Sequence, residues 1–291
     1  MVRHIRIPLL IDVMLTRDPD DIRELAQHDG LDRGFDGRGP LVNRLLSARV
    51  RRGLRLGGAP LPSARMRDDA ARITRQDALK QLFVPGNWDP AIVTALASYV
   101  RGEEGRHVGQ LAQDAVGRVF RPEFRAGHDS WEAAQVIGDH IAPGRPLRRF
   151  LRVLTGALSR AQVALGRTSD NDPAAVHGLG VAIHNLVVSL EKMRAAWADT
   201  DLRARLNPTE AAHRSITAPR NVMRAGAAHT DVIGGRLRPG TLVAMQTREA
   251  ASATMDTRLA FLGEAWSHCP AEAWVMGLLA EVWRQAAESA A

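Results

Sequence analysis

The chain has 291 residues, of which 45% are hydrophobic, so it can bury one sizeable core or two modest ones. Its formal net charge is +7, but the basic residues alternate with acids and apolar helix faces rather than clustering with aromatic residues, which argues against a nucleic-acid partner. A single cysteine excludes an internal disulfide, and no Cys/His spacing indicates a zinc site.

The N-terminal part predicts a strand followed by helices. Residues 6–16 form an apolar, strand-like run, and residues 18–25 predict a helix with acidic residues in its first turn. A short amphipathic helix is expected to begin within residues 39–46. The Gly- and Pro-rich residues 53–62 predict a loop, which is the best candidate for a flexible connection.

The middle of the chain predicts a helical core. Residues 72–83 have helical period, and a long pair of helices, 146–166 and 174–197, flanks the loop at residues 168–173. Shorter helices are predicted ahead of this pair, at residues 89–99, 108–119 and 131–141.

The surroundings of such a core can be inferred from hydropathy and charge. No run reaches the roughly 18 uninterrupted apolar residues of a membrane span, and the N-terminus has no signal-peptide cleavage pattern. We therefore expect a cytoplasmic protein with no membrane partner. The positive charge is better suited to an acidic redox or carrier protein.

The C-terminal part carries the most informative residues. Residues 231–245 predict two short strands joined by a turn. Cys269 follows a loop that contains Gly263 and precedes an apolar helical run, residues 273–280. A sole thiol at a helix N-terminus is a natural place for a thiolate that binds a metal. The alternative is that Cys269 is a small buried hydrophobic residue.

The last eighty or so residues resemble the C-terminal part of a cytochrome P-450. That family has an E-x-x-R helix, an arginine-bearing segment, a small hairpin with Gly-Gly and Pro-Gly turns, and the loop F-x-x-G-x-H/R-x-C-x-G. Here Glu210 to Arg214 stand at the first landmark, Arg224 at the second and residues 231–245 at the third. Cys269 ends the series. The resemblance continues thinly to the N-terminus.

The chain departs from the family pattern at several of these positions. His213 stands where the family has the arginine of E-x-x-R, although Arg214 could take over the ion pair. Only residues 246–260 remain of the long segment before the cysteine loop. Within the loop, three family residues are replaced, by Ala265, Ser267 and Ala271.

The resemblance implies haem b (iron-protoporphyrin IX) with the Cys269 thiolate as its iron ligand. It places Gly263 and Ser267 in the cofactor-binding loop, where Ser267 replaces a basic residue that contacts a propionate. Arginines are expected to neutralise the two propionates. Arg224 is the first candidate, followed by Arg72 and Arg75 on the helix at residues 72–83. For the latter two, a solvated helix face is the alternative explanation.

The second helix of the long pair corresponds, by order, to the family's central helix beside the distal face of the haem. The family has an acid and an alcohol there that relay protons to dioxygen, whereas residues 178–183 have neither. His184 and Asn185 could supply a replacement proton donor. Alternatively, they are ordinary polar residues of a core helix.

Together, these features predict a mainly α protein with a small β component and a truncated cytochrome P-450-like fold. We expect a single domain over 1–291, with a reduced strand and helix part at 1–62 and a helical core with the cysteine loop at 63–291.

The predicted function is a haem-thiolate oxidoreductase of monooxygenase type that oxidises a small apolar organic substrate with the help of a redox partner or a carrier protein. Two alternatives stay open. One is a degenerate relative that binds a ligand or a protein partner, and the other is haem chemistry other than oxygenation.

Overall fold

A computed structural model describes residues 1–141 and 156–289. Most of these residues are helical, and the strands form small sheets, so the predicted mainly α class with a minor β component is confirmed. The chain divides into two compact units, each built from two segments. The first is Met1–Arg75 with Ala218–Cys269, and the second is Gln76–Thr217 with Pro270–Ala291. The single domain predicted from the sequence stays a prediction.

The helices, in chain order, are α1 Pro19–Gln27, α2 Leu41–Gly53, α3 Ala70–Leu82, α4 Pro90–Arg101, α5 Val108–Phe120, α6 His128–Ile141, α7 Ala157–Thr168, α8 Pro173–His177, α9 Ile183–Ala198, α10 Thr200–Arg205, α11 Pro208–Ser215, α12 Thr247–Thr254, α13 Thr257–Phe261 and α14 Glu272–Glu288. The strands are β1 Arg3–Ile7, β2 Ile11–Thr16, β3 Leu31–Asp32, β4 Arg55–Leu56, β5 Ala59–Pro60, β6 Val222–Gly226, β7 Thr230–Val232, β8 Gly235–Leu237 and β9 Leu242–Met245.

The first unit is organised by a five-stranded sheet of order β1-β2-β9-β6-β3. The β2–β9 pair is parallel, and the other neighbours are antiparallel. Helix α1 packs on the sheet through Ile22 and Leu25, which lie in one core with Met14 and Val243. Strands from both chain segments thus share one core.

The strand-like run predicted over residues 6–16 is not one strand but part of a β1–β2 hairpin, with β2 covering its second half. The chain turns at Ile7–Leu10, where the Ile7 carbonyl accepts a hydrogen bond from the Leu10 amide at 3.1 Å. Pro8 has the backbone angle that the second residue of such a turn requires, and Leu9 adopts a positive φ of 61°. The sequence concealed this turn because both residues after Pro8 are leucines.

Two further predictions are corrected in the first unit. The loop predicted at residues 53–62 contains the small β4–β5 hairpin. Residues 231–245 form three strand segments rather than two. Two of them pair as the β7–β8 hairpin, and β9 continues into the large sheet, where it lies between β2 and β6.

A buried polar network fixes α2 and the hairpin to the turn before β9. The Asn43 side chain donates to the carbonyl oxygens of Asp12 and Gly240, at 2.6 and 2.8 Å. The Asp12 carboxylate accepts from the Thr241 hydroxyl at 3.0 Å. Gly240 has a φ of 83°, and a Cβ there would lie 2.3 Å from the carbonyl oxygen of Arg38, so a side chain is excluded.

The second unit is helical, and its predicted helices at residues 89–99, 108–119 and 131–141 are confirmed as α4, α5 and α6. Trp274 and Trp283 of α14 are buried in its core, and Phe83 packs edge-on against Trp274. The predicted helix at 146–166 is partly seen as α7, while its residues 146–155 lie outside the described residues.

The predicted long helix at residues 174–197 consists of three parts. Helix α8 leads into a π-helical segment, Gly178–Ala182, which continues into α9. By length and composition, the run Pro173–Ala198 could cross a membrane, but 56% of its most apolar window is buried within the protein. Such burial is typical of a core helix.

Candidate functional site

Three arginine side chains of the first unit surround the indole ring of Trp266. The guanidinium carbons of Arg33, Arg72 and Arg224 lie 5.2, 5.0 and 5.5 Å from the ring centroid. Cations at these distances are attracted to the electron-rich face of an indole. We call Trp266 and these three arginines the arginine cage.

The sheet register explains why two of the arginines meet. In the antiparallel β3–β6 pair, Leu31 lies opposite Gly226 and Asp32 opposite Ala225. One residue further along the same register, Arg33 follows Asp32 on one strand and Arg224 precedes Ala225 on the other. Arg72 comes from the first turn of α3. Segments distant in sequence therefore supply the cage.

The same arginines hold the cysteine loop by hydrogen bonds. Arg72 donates to the Trp266 carbonyl oxygen, and Arg33 donates to the Ser267 carbonyl oxygen, both at 3.0 Å. Arg224 donates to the Ser267 hydroxyl oxygen. Because a guanidinium offers five N–H groups in a planar fork, Arg33 and Arg224 can bond the loop and keep their Nε–H groups for another group. Arg72 also donates to the Arg67 carbonyl oxygen, at 3.2 Å from Nε and 2.7 Å from a terminal nitrogen.

The cage contains donors that the protein leaves unpaired. Within the described residues, the Nε atoms of Arg33 and Arg224 and the Nε1 atom of Trp266 are buried and have no hydrogen-bond partner. Buried donors are paired in the great majority of cases, so three unpaired donors in one cluster require an explanation. A bound group with several acceptor oxygens would satisfy them.

The electrostatics of the cage favour an anion. Arg224 is only 2% exposed, and burial, together with the charge of Arg33, lowers its pKa well below the ordinary arginine value. Burial and the charge of Arg72 lower the pKa of Arg33 to about 10, although Asp32 and Cys269 act in the opposite direction. Burial makes the charged form of both guanidinium groups costly, and a bound anion would reduce that cost.

The nearest acid does not neutralise the cage by direct pairing. The Asp32 carboxylate accepts hydrogen bonds from the backbone amides of Arg33 and Arg67, at 2.5 and 3.1 Å. Within the residues that the structure describes, neither Arg33 nor Arg224 forms an ion pair. Asp32 therefore fixes the local backbone. Its single negative charge is smaller than the summed positive charge of the three arginines in the cage.

Cys269 lies at the end of the loop that the cage holds. It is half-buried, and its backbone amide donates to the Phe261 carbonyl oxygen at 2.9 Å. Gly263, earlier in this loop, follows Leu262, whose positive φ of 52° ends α13. Cys269 is close enough to Arg33 for its charge to raise the pKa of that arginine. Cys269 and the arginine cage thus adjoin each other.

The structure brings together most of the cofactor-binding residues that the sequence predicted. Arg224, Arg72 and Ser267 meet in the cage, whereas Arg75 is half-buried one turn further along α3 and is not one of the three arginines around Trp266. Sequence reasoning missed Arg33 and gave Trp266 no role. The residues next to Arg33 in the sequence do not indicate a role in a binding site. The tryptophan in the cysteine loop was the one sequence feature that could have indicated a site for cations.

The E-x-x-R landmark has a different use in this chain. Glu210 accepts a hydrogen bond from the Asn207 amide at 3.0 Å, and the Asn207 side chain accepts from the Glu210 amide, which forms a capping box at the start of α11. Glu210 and Arg214 are both exposed, and no ion pair joins these two described residues. The ion pair expected from the resemblance is not formed.

The predicted proton donors lie on α9 in the second unit. The His184 ring donates from Nε2 to the Ala134 carbonyl oxygen of α6 at 3.0 Å and packs against Trp131. A Cβ at Gly138 would lie 2.3 Å from that nitrogen, so the glycine makes room for the ring. Burial lowers the pKa of His184. These contacts are those of a packing residue, and Asn185 is half-buried beside it.

With this geometry established, the fold is that of the cytochrome P450 structures. The similarity to CYP175A1 from Thermus thermophilus covers 98% of this chain and 83% of the CYP175A1 chain, with a TM-score of 0.59 and 16% sequence identity. The cytochrome P450 enzyme CxnD, for C–S bond formation in chuangxinmycin biosynthesis, matches 95% of the chain over 79% of its own, with a TM-score of 0.55 and 10% identity.

A third similar structure contains a protein partner. P450BioI, in complex with an acyl carrier protein ligated to hexadec-9Z-enoic acid, matches 98% of this chain over 86% of its own, with a TM-score of 0.56 and 12% identity. No protein-family model matches the chain, and no curated protein matches its sequence. At these identities, the similarity establishes the fold alone.

The uncompensated charge of the cage has a measurable consequence for the protein without a ligand. Arg224→Met keeps a long apolar stem but removes a buried cation, and we expect it to raise the free energy of unfolding by about 1 kcal/mol or more in urea denaturation. Arg38→Met removes an exposed cation paired with Asp36 and should change it by less than about 0.5 kcal/mol. Destabilisation by Arg224→Met would show that this cation is structural.

Proposed function

We propose that this chain binds haem b, with the Cys269 thiolate as the iron ligand and the arginine cage around the two propionates. The observation that carries the proposal is the set of three buried, unpaired donors on Arg33, Arg224 and Trp266 beside the cysteine loop. Two carboxylates supply enough acceptor oxygens for these donors and enough negative charge for the cage.

The individual residues then have distinct tasks. Arg33 and Arg224 offer their free Nε–H groups to carboxylate oxygens, and Arg72 adds a third positive charge. Ser267 stands where a basic residue is expected, and its hydroxyl group holds Arg224 instead. Leu262 ends α13, and the Gly263 amide donates to the Arg258 carbonyl oxygen at 2.9 Å where the loop begins. The bond from the Cys269 amide to Phe261 fixes the position of the thiolate.

A haem bound by a thiolate supplies oxidation chemistry with dioxygen or peroxide. On this basis, we infer an oxidoreductase that acts on a small apolar organic substrate. The net charge of +7 suits an acidic redox or carrier protein as the partner. The similar P450BioI structure, which holds a ligated acyl carrier protein, supports a partner of this kind.

The iron ligand is tested by absorption spectroscopy of the protein reconstituted with haemin, reduced and exposed to carbon monoxide. The parent protein should show the strongly red-shifted Soret band of a thiolate ligand, and Cys269→Ser should lose it. Ser267→Ala, two residues away in the same loop, should retain it. A parent protein that takes up no haem would favour the alternative of a degenerate relative that binds another ligand or a protein.

The cage is tested by the rate at which haem passes to an excess of a globin without haem. Arg33→Gln should accelerate this loss about tenfold, because it removes a charge-assisted contact to a propionate. Arg67→Gln is the matched control, since the Arg67 side chain pairs with the exposed Asp29 and only its backbone amide supports Asp32. Equal loss rates for the parent and Arg33→Gln would remove Arg33 from the site.

A second candidate function is haem chemistry other than oxygenation, such as dehydration or rearrangement, which needs no proton relay. It is favoured by the absence of an acid or alcohol in residues 178–183 and by the contacts of His184, whose Nε2–H group is engaged by Ala134. The assignment of His184 and Asn185 as proton donors stays a prediction.

Comparison of peroxide-driven with dioxygen-driven turnover tests whether a proton relay operates in this chain. We expect peroxide to support the faster turnover, because no relay residue is available on the segment ahead of α9. His184→Gln should leave the ratio of the two rates unchanged, since glutamine can also donate to the Ala134 carbonyl oxygen. If the variant lost only the dioxygen-driven reaction, His184 would be the proton donor that the sequence predicted.

A further inference from the structure

The tip of the β1–β2 hairpin and the start of α2 together form an exposed apolar surface. Five of the eleven large hydrophobic side chains that are exposed within the described residues lie here. We call them the hairpin-tip patch, and they are Ile7, Leu9, Leu10, Leu41 and Leu45. An apolar cluster of this kind on a protein surface marks an interaction site more often than isolated exposed leucines do.

The patch is one continuous surface because backbone hydrogen bonds join its two elements. The amide of Leu41 donates to the Leu9 carbonyl oxygen at 3.0 Å, and the amide of Val42 donates to the Leu10 carbonyl oxygen at 2.9 Å. Leu45 lies one helical turn beyond Leu41 and on the same side of α2. The patch is therefore rigidly attached to the sheet of the first unit.

Leu9 gives the patch its projecting apex. It is 89% exposed and has a φ of 61°, a backbone conformation that glycine or asparagine adopts more readily than leucine. An apolar side chain at this place adds little to the stability of the fold, because it is almost fully exposed and its backbone angle is unfavourable. A role outside the folded chain explains why a leucine projects there.

The charges around the patch are positive. Arg6 precedes Ile7 on β1, and Arg44 lies between Leu41 and Leu45 on α2; both arginines are exposed. Farther along the chain, Arg38, Arg65 and Arg67 pair with Asp36, Asp69 and Asp29, so the positive charge beside the patch is that of Arg6 and Arg44. The partner of the patch should therefore be apolar and negatively charged.

We propose that the hairpin-tip patch docks on the surface of an anionic lipid bilayer. A bilayer accepts projecting leucines without a complementary groove, and its phosphate groups attract arginines that flank an apolar surface. A protein partner would need a concave surface shaped for the Leu9 apex. The inference concerns surface binding rather than spanning, and it departs from the sequence-based expectation of no membrane partner. It stands apart from the proposed haem site.

The test is sedimentation of the full chain with vesicles of phosphatidylcholine, with and without phosphatidylglycerol, at low and at high salt. The protein should bind the anionic vesicles, and high salt should release most of it. Leu9→Asn should weaken binding about tenfold, because it removes one inserted leucine. Arg6→Gln and Arg44→Gln should each weaken it about fivefold.

The variants include controls for folding and for general hydrophobicity. Asparagine tolerates a positive φ, so Leu9→Asn should keep the circular dichroism spectrum and thermal midpoint of the parent protein. Val163→Gln, at an exposed apolar position of α7 in the second unit, should leave vesicle binding unchanged.

Two results would overturn the proposal. The first is a parent protein that fails to bind anionic vesicles. If such a protein were a dimer in sedimentation velocity and Leu9→Asn were a monomer, the patch would bind a second copy of the chain instead of a bilayer. The second is equal binding by the parent protein, Leu9→Asn and the arginine variants. Because neither measurement depends on haem, failure here would leave the spectroscopic test of Cys269 unaffected.

Discussion

The cysteine loop of the first unit is held by a group of like charges around one aromatic ring. Arg33, Arg72 and Arg224 repel one another, and the burial of Arg33 and Arg224 adds the cost of removing charge from water. Trp266 offsets part of this cost, since each cation and ring contact contributes about 0.5–2 kcal/mol. The hydrogen bonds from the arginines to the cysteine loop offset a further part of the burial cost.

This arrangement links the geometry of the loop to the occupancy of the site. Arg33 and Arg224 bond the loop and also have unpaired Nε–H groups. A dianion bound to these groups would therefore stabilise the folded loop. Conversely, a chain that had lost its ligand would gain stability by losing the buried cations. The three arginines and Cys269 thus lie where a bound dianion would offset their burial cost.

Local sequence patterns predicted the helices well. The regular apolar periods of α4, α5 and α6 were sufficient, because a helix is specified by side chains three and four residues apart. Strand boundaries were less accessible. The turn between β1 and β2 has leucines where a turn usually has polar residues or glycine, and β9 joins the large sheet through pairings with distant strands.

The sequence by itself indicated the cysteine loop and Arg224, through the order of the family landmarks that they resemble, and it determined the helical character of the chain, through local spacing. Only the tertiary structure decided which arginines form the cage. Arg33 meets Arg224 because β3 pairs with β6 across a long stretch of chain, and such pairing leaves no trace in the residues near Arg33. The packing of His184 against α6 was likewise decided by the tertiary fold, because its partner, Ala134, contributes a backbone carbonyl group that any residue could supply.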